Sequence, residues 1–223
     1  RLAFLRSGQA VALWSEPDSK DYSIQNIWVA SLEGESWSTR PALTTNAAVQ
    51  NAFASIVPVG DLLHVVWNGY PAGDNDLFHV GLSGGAWSSP TDLTSGFKPA
   101  GETRSDYLPS IAASPSGALA VAYNSEPVQS HPIDIRVLRL GPDGKPLGGP
   151  SVAIAPREAG GDCYGASAEF DAAGHLHVVA ECGPGGQERL FWGTDASGAW
   201  VVSPIEAQGR SDVQAHLTRG AGR

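Results

Sequence analysis

The sequence predicts an all-β fold built as an array of repeated four-stranded sheets, and three landmarks predict it. Gly8, Gly60, Gly117 and Gly174 each close a turn between two alternating apolar segments, at spacings of 52, 57 and 57 residues. Trp14, Trp67, Tyr123 and Ala180 end the second of those segments, 53, 56 and 57 residues apart. Trp37, Trp87, Leu147 and Trp200 open a fourth segment, 50, 60 and 53 residues apart. Three independent marks that keep one period of roughly fifty residues read as β-propeller blades of four strands each.

Each strand has its own signal. The first strand of the blades is expected over 2–6, 52–57, 108–113 and 165–170, where alternation precedes the turn glycine. The second is expected over 10–14, 62–67, 118–123 and 175–180. It is apolar on both faces, with Val11 and Leu13 against Ala12 and Trp14, and Leu63, Val65 and Trp67 against Val66. A strand apolar on both sides belongs inside a stack of sheets. The third is expected over 26–30, 76–81, 133–140 and 189–193. The fourth starts at the Trp or Leu landmark, and Pro41, Pro90, Pro150 and Pro204 follow within three or four residues. Proline lacks the N–H that a ladder needs, so it marks the outer edge of a sheet.

The chain therefore reads as one propeller domain or fragment, with blades over about 1–45, 50–95, 106–155 and 162–206. Residues 212–218 look like the first strand of a further blade. Such ends point to a longer propeller or to a partner chain that completes the ring. A start at Arg1, with no Met anywhere, points to a processed or excised chain.

Composition narrows the partners. Gly at 27, Pro at 16 and only 17% charged residues suit many tight turns. A net charge of −9 disfavours nucleic acid and anionic membrane surfaces. The sequence has no apolar run long enough for a transmembrane helix. The only cysteines, Cys163 and Cys182, flank the fourth-blade hairpin. If Phe170 pairs with His175, the same register sets Cys163 opposite Cys182, near disulfide reach. A disulfide implies an oxidising compartment, hence a secreted or periplasmic protein.

The repeat text resembles the bacterial Asp-box (BNR, sialidase-like) propellers. The stretch from Pro109-Ser110-Ile111 through Gly117 to Tyr123-Asn124 carries the resemblance, with Asn75-Asp76-Leu77 and Ile133-Asp134-Ile135 on third strands. The Asp-box turn of that family survives as Glu33-Gly34-Glu35-Ser36-Trp37, Gly84-Gly85-Ala86-Trp87 and Asp195-Ala196-Ser197-Gly198-Ala199-Trp200. The resemblance implies a secreted propeller of six or seven blades that binds or acts on glycans. Sialidases of that kind also carry an Arg-Ile-Pro motif, and this chain has Arg1-Leu2-Ala3.

Loops entering the first strand and leaving the second should gather at one rim of the central channel. They carry Glu16, Asn51, Asn68, Arg104, Asp106, Tyr107, Asn124, Asp162, Tyr164, Arg210 and Asp212 as candidate ligand-binding residues. The Arg-Ser-Asp triplet at 104–106 recurs at 210–212. Carboxylates and amides match sugar hydroxyls as acceptors and donors, arginines suit a sugar carboxylate, and tyrosines can stack on a ring. The competing reading is structural: the aspartates cap turns and each arginine pairs with an acid nearby. For hydrolysis the candidate acids are Asp106, Glu126 and Glu181, since a glycosidase needs two carboxyl groups at a set separation. No cofactor is expected, although Ca²⁺ would suit an acidic rim. His64, His175 and His177 read as packing residues. So do Trp37, Trp87 and Trp200, between blades. Trp28 and Trp192 could instead be exposed sugar platforms. Three functions follow: non-catalytic recognition of a glycan or similar small ligand at the rim, a protein-interaction scaffold within an extracellular assembly, or a sialidase-like glycoside hydrolase.

Overall fold

The alternating segments form four antiparallel sheets in a computed structural model that describes residues 1–17, 24–39, 43–44, 50–71, 73–127, 132–155, 160–184, 187–205 and 217. The first sheet is β1 (Leu2–Phe4), β2 (Ala10–Pro17), β3 (Gln25–Glu33) and β4 (Ser36–Thr39). The second is β5 (Asn51–Val59), β6 (Leu62–Gly69), β7 (Asp76–Ser83) and β8 (Ala86–Trp87), with β9 (Thr91–Asp92) also paired to β7. The third is β10 (Arg104–Ala113), β11 (Leu119–Pro127), β12 (Asp134–Leu140) and β13 (Ser151–Ile154). The fourth is β14 (Cys163–Phe170), β15 (Leu176–Cys182), β16 (Arg189–Thr194) and β17 (Val201–Pro204). A 3-10 turn over Ser95–Phe97 is the one helical segment among the described residues.

Strands follow one another in spatial order within every sheet, as consecutive hairpins dictate. The outer strand is where the sequence reading needs correction. Pro90 splits the edge of the second sheet into β8 and β9, both on β7. In the third sheet Leu147 is exposed in a loop, and the fourth strand begins only at Ser151. A bridge from Leu140 to Pro146 closes the turn before the strand resumes. Trp37 is also half exposed, whereas Trp87 and Trp200 pack against the core.

The core lies between sheets. One apolar cluster joins the first sheet to the second through Val11, Leu13, Val29, Val65 and Trp67. A second joins the second sheet to the third through Val66, Leu77, Val121 and Tyr123. A third joins the third sheet to the fourth through Ala120, Ala122, Val137, Val178 and Phe191. Val65 and Val66, adjacent on β6, thus serve two interfaces, as a strand apolar on both faces must. The Arg139–Asp195 ion pair spans the last interface.

A shared defect marks the inner strands. Pairing shifts by one between Ala52 and Ser55 in β5, between Tyr107 and Ser110 in β10, and between Tyr164 and Ser167 in β14. The residue at each bulge has a left-handed backbone: Phe53 at φ 54°, Leu108 at φ 53° and Gly165 at φ 64°. This bulge decides the cysteine geometry. Phe170 pairs with Leu176 rather than with the expected His175, so the register near the turn is one residue off. The bulge restores it, Cys163 meets Cys182, and a disulfide joins them with Cα atoms 4.1 Å apart.

The serine that follows each bulge links one inner strand to the next. Ser55 Oγ accepts from the N–H of Ile111 at 3.2 Å, and Ser110 Oγ from that of Ala168 at 3.1 Å. Ser167 Oγ accepts from Leu217 N–H at 3.0 Å. Leu217 thereby takes the place, relative to the fourth sheet, that Ile111 and Ala168 take relative to theirs. The rest of the strand expected over 212–218 lies outside the described residues.

Candidate functional site

Where the inner strands converge they line a cleft of about 730 Å³. Its walls include all three bulges, the three linking serines, Trp14 and Gln25 from the first sheet, and Tyr164, Glu169 and Glu181 from the fourth. Tyr164 and Glu181 are cross-strand partners in β14 and β15, which puts both side chains on one face of the sheet. Tyr164 is well exposed there, with the Asp162 and Glu126 carboxylates nearby; burial, followed by those charges, raises its phenol above the ordinary value. The Glu181 carboxylate, partly exposed, has no hydrogen bond or ion pair among the described residues.

The other rim candidates are placed differently. Asp106 is only 3% exposed and accepts the Ser125 hydroxyl at 2.5 Å. Burial pushes its carboxyl up to about 6 against that hydrogen bond. Arg104 donates to Glu102 at 2.6 and 2.9 Å and to Ser125 at 3.2 Å, and it lies 3.9 Å from Asp134. Its guanidinium is therefore committed to the protein's own acids. Tyr107 donates its hydroxyl to Glu126 at 3.0 Å, and burial followed by that carboxylate raises the phenol well above its usual range. Asn51 is buried and accepts the Trp67 indole N–H at 2.9 Å, while Asn68 is buried and donates to Asn75 at 3.1 Å. Asn124 is fully buried opposite Tyr107. Asp162 accepts the Ile133 N–H at 3.0 Å. Glu16 is exposed at the end of β2 and accepts from the Trp14 indole at 3.2 Å. Arg210 and Asp212 lie outside the described residues.

Three of the acids and amides expected on an open rim are thus interior hydrogen-bonding groups: Asn51, Asn68 and Asp106. Asn68 and Asp106 join a polar seam between the second and third sheets. Lys98 Nζ binds Asp74 and Asp76, each at 2.7 Å, and the Asp106 N–H donates to the Asn75 carbonyl at 3.0 Å. Among the candidates, Tyr164 and Glu181 line the cleft. Sequence reasoning missed Phe53, Leu108 and the linking serines, because a non-glycine residue at positive φ leaves no mark in the sequence. The recurring serine before an aliphatic residue, at Ser55-Ile56, Ser110-Ile111 and Ser167-Ala168, was the available signal.

The described histidines pair with each other or with a carboxylate. His64 Nδ1 and His79 Nε2 lie 3.0 Å apart in a buried stack, and His175 and His177 both contact Asp171. Among the described residues no group of three or more His, Cys, Asp or Glu side chains is arranged to hold a metal ion. No described helix is long and apolar enough to cross a membrane. Trp28 stacks on Trp14 with centroids 6.5 Å apart, and Trp192 stacks on His177 at 5.7 Å.

No family model matches the chain, and no curated protein matches it. Solved structures do. A protein of unknown function from Dyadobacter fermentans superposes with a TM-score of 0.65 at 14% identity, over 86% of this chain and 51% of its own. The Trypanosoma rangeli sialidase, solved with the inhibitor DANA, gives 0.65 at 14% identity over 91% of this chain and 37% of its own. An α-L-arabinanase of Penicillium chrysogenum, solved with arabinobiose, gives 0.70 at 12% identity over 94% of this chain and 62% of its own. The chain spans between about a third and two thirds of these neighbours. At such identities the likeness bears on architecture, and with the four stacked sheets it makes this chain a β-propeller array.

Proposed function

We propose that the protein recognises a neutral glycan in the cleft between its inner strands, without hydrolysing it. The observation that carries this reading is the Tyr164–Glu181 pair: an exposed aromatic ring beside a carboxylate that has no partner among the described residues, both on the wall of the cleft. An aromatic face covers the apolar face of a sugar, and a carboxylate accepts from two adjacent hydroxyls. A neutral ligand is favoured over an acid sugar because Arg104 is bound by Glu102, and the one arginine on the cleft wall, Arg1, is offset there by the Glu169 and Glu181 carboxylates. The absence of hydrolysis is supported by the placing of Asp106, which is buried on Ser125 rather than open to a substrate. The names of the neighbours support a carbohydrate ligand, since they include sialidases, arabinanases, arabinofuranosidases and an ulvan lyase. The disulfide supports a secreted or periplasmic setting.

The test is a glycan array followed by calorimetry with Glu181→Gln and Tyr164→Ala. We expect neutral oligosaccharides to bind the parent and both variants to lose affinity roughly tenfold or more, at about 1.4 kcal/mol per factor of ten. A parent protein with no affinity for any sugar on the array ends this reading. The hydrolase alternative draws on Glu169 and Glu181, the two cleft carboxylates. It predicts release of reducing ends from the bound oligosaccharide, abolished in Glu181→Gln.

A further inference from the structure

Phe53 combines three properties that packing does not account for. Its backbone sits at φ 54°, a region costly for any residue with a Cβ. Its ring is 59% exposed, and it belongs to none of the three apolar clusters. It lines the cleft. Of the two equivalent bulges, that of β10 has Leu108, at φ 53° but less exposed, and that of β14 has Gly165, at φ 64°, which adopts the backbone without strain. The fold therefore accepts glycine at this bulge, and a strained residue tends to persist where its side chain has a use.

We propose that Phe53 is a ligand-stacking platform: its ring is held out into the cleft, by a backbone the chain could otherwise relax, to cover the apolar face of a sugar ring. The bulge supplies the aim, because it turns the side chain of an inner strand from the interface between sheets toward the axis. The proposal deepens the glycan-recognition reading and rests on it. It adds a second aromatic wall from the second sheet to the one that Tyr164 supplies from the fourth.

The experiment pairs Phe53→Gly with Phe53→Trp, using arabinotriose and trigalacturonate as probes. Each variant is measured by calorimetry and by thermal unfolding. We expect Phe53→Gly to raise the unfolding midpoint by about 2–4 °C, since it releases strain in a chain of this size. We expect it also to weaken arabinotriose binding about tenfold, and Phe53→Trp to keep the affinity within about twofold. A structural role predicts the opposite pairing, a lower midpoint with affinity unchanged. Either a lowered midpoint or undiminished affinity in Phe53→Gly overturns the platform alone. A parent protein that binds neither arabinotriose nor any neutral sugar on the array overturns the recognition reading, and the platform with it, and one that binds trigalacturonate alone overturns the neutral-ligand reading and the platform argued on it.

Discussion

Two buried titratable residues beside the same interface work against each other. Burial, and then His64 close by, holds His79 down to about 4, from 6.5 for an unfolded chain. Between those values the unfolded state binds more protons, so this term is fully stabilising above pH 6.5 and is lost as pH falls toward 4. Its size is at most roughly 3 kcal/mol, at 1.36 kcal/mol per unit. Asp106 has the reverse sign. Its folded value of about 6 stands above 3.8, so the folded state holds the extra proton and stability is lost as pH rises through that window. The two slopes nearly cancel between pH 4 and 6. Asp106→Asn keeps an acceptor for Ser125 and removes one slope. We expect the variant to be more stable than the parent at pH 7, by about 1–3 kcal/mol. On acidification from pH 6.5 to 4 it should lose stability more steeply than the parent does. Urea midpoints across that range decide it, and parallel profiles would rule it out.

At the scale of the strand, the bulges and the links after them organise each inner edge. Replacing Ser110 with Ala removes the acceptor for the Ala168 N–H, and the third sheet loses its tie to the fourth at the axis. The expected cost is about 1 kcal/mol in guanidinium unfolding, and Ser110→Thr, which keeps the hydroxyl, should restore most of it. The disulfide acts on the same edge. It closes a loop of 19 residues' separation across β14 and β15, so the Cys163→Ala, Cys182→Ala double variant should lose about 3 kcal/mol. A loss below about 1 kcal/mol would mean that the third-to-fourth sheet packing already fixes that hairpin. These strands also show what the sequence could reveal. Alternation and turn glycines located the three inner strands of every blade, because burial on two faces leaves an apolar pattern that any reader can count. The cysteine pair was foreseen through a register that the hairpin does not use near its turn, since the bulge at Gly165 supplies the missing residue. The cleft was half legible. Tyr164 and Glu181 sit at strand ends where a rim was expected, but Phe53 and Leu108 reach it through backbone torsions that their identities disfavour. The outer edge was least legible: only proline marks it, and in the third blade Leu147 imitates a strand start within a loop.

Across the whole array, the sheets are not equally supported. Among the described residues the second and third sheets bear an apolar cluster on each face, whereas the first, like the fourth, bears one on a single face. Its other face carries Leu2 against Ala12, Phe4 against Ala10, Ala12 against Ala30, and Trp14 against Trp28. The matching positions of the second sheet, Ile56, Val65, Trp67, Phe78 and Val80, are those that receive the first sheet. Leu2 and Phe4 are instead 56% and 62% exposed. In a stack whose stability adds up from neighbour contacts, such a face is both the weakest unit and the stickiest. Backbone amides of β2 should therefore exchange faster than those of β6 and β11 under native conditions, because opening the first sheet breaks one interface rather than two. The same face should drive self-association. Sedimentation of the parent chain should show a concentration-dependent dimer, and Leu2→Lys with Phe4→Lys should return it to monomer. Because both side chains are already wet, the double variant should change stability by no more than about 0.5 kcal/mol per site, while Leu13→Ala on the covered face should cost 2–5 kcal/mol. A double-lysine protein that unfolds as readily as Leu13→Ala would mean the exposed face is covered within the folded chain. A parent chain that stays monomeric at every concentration would mean its aromatic row is too sparse to bind a second sheet.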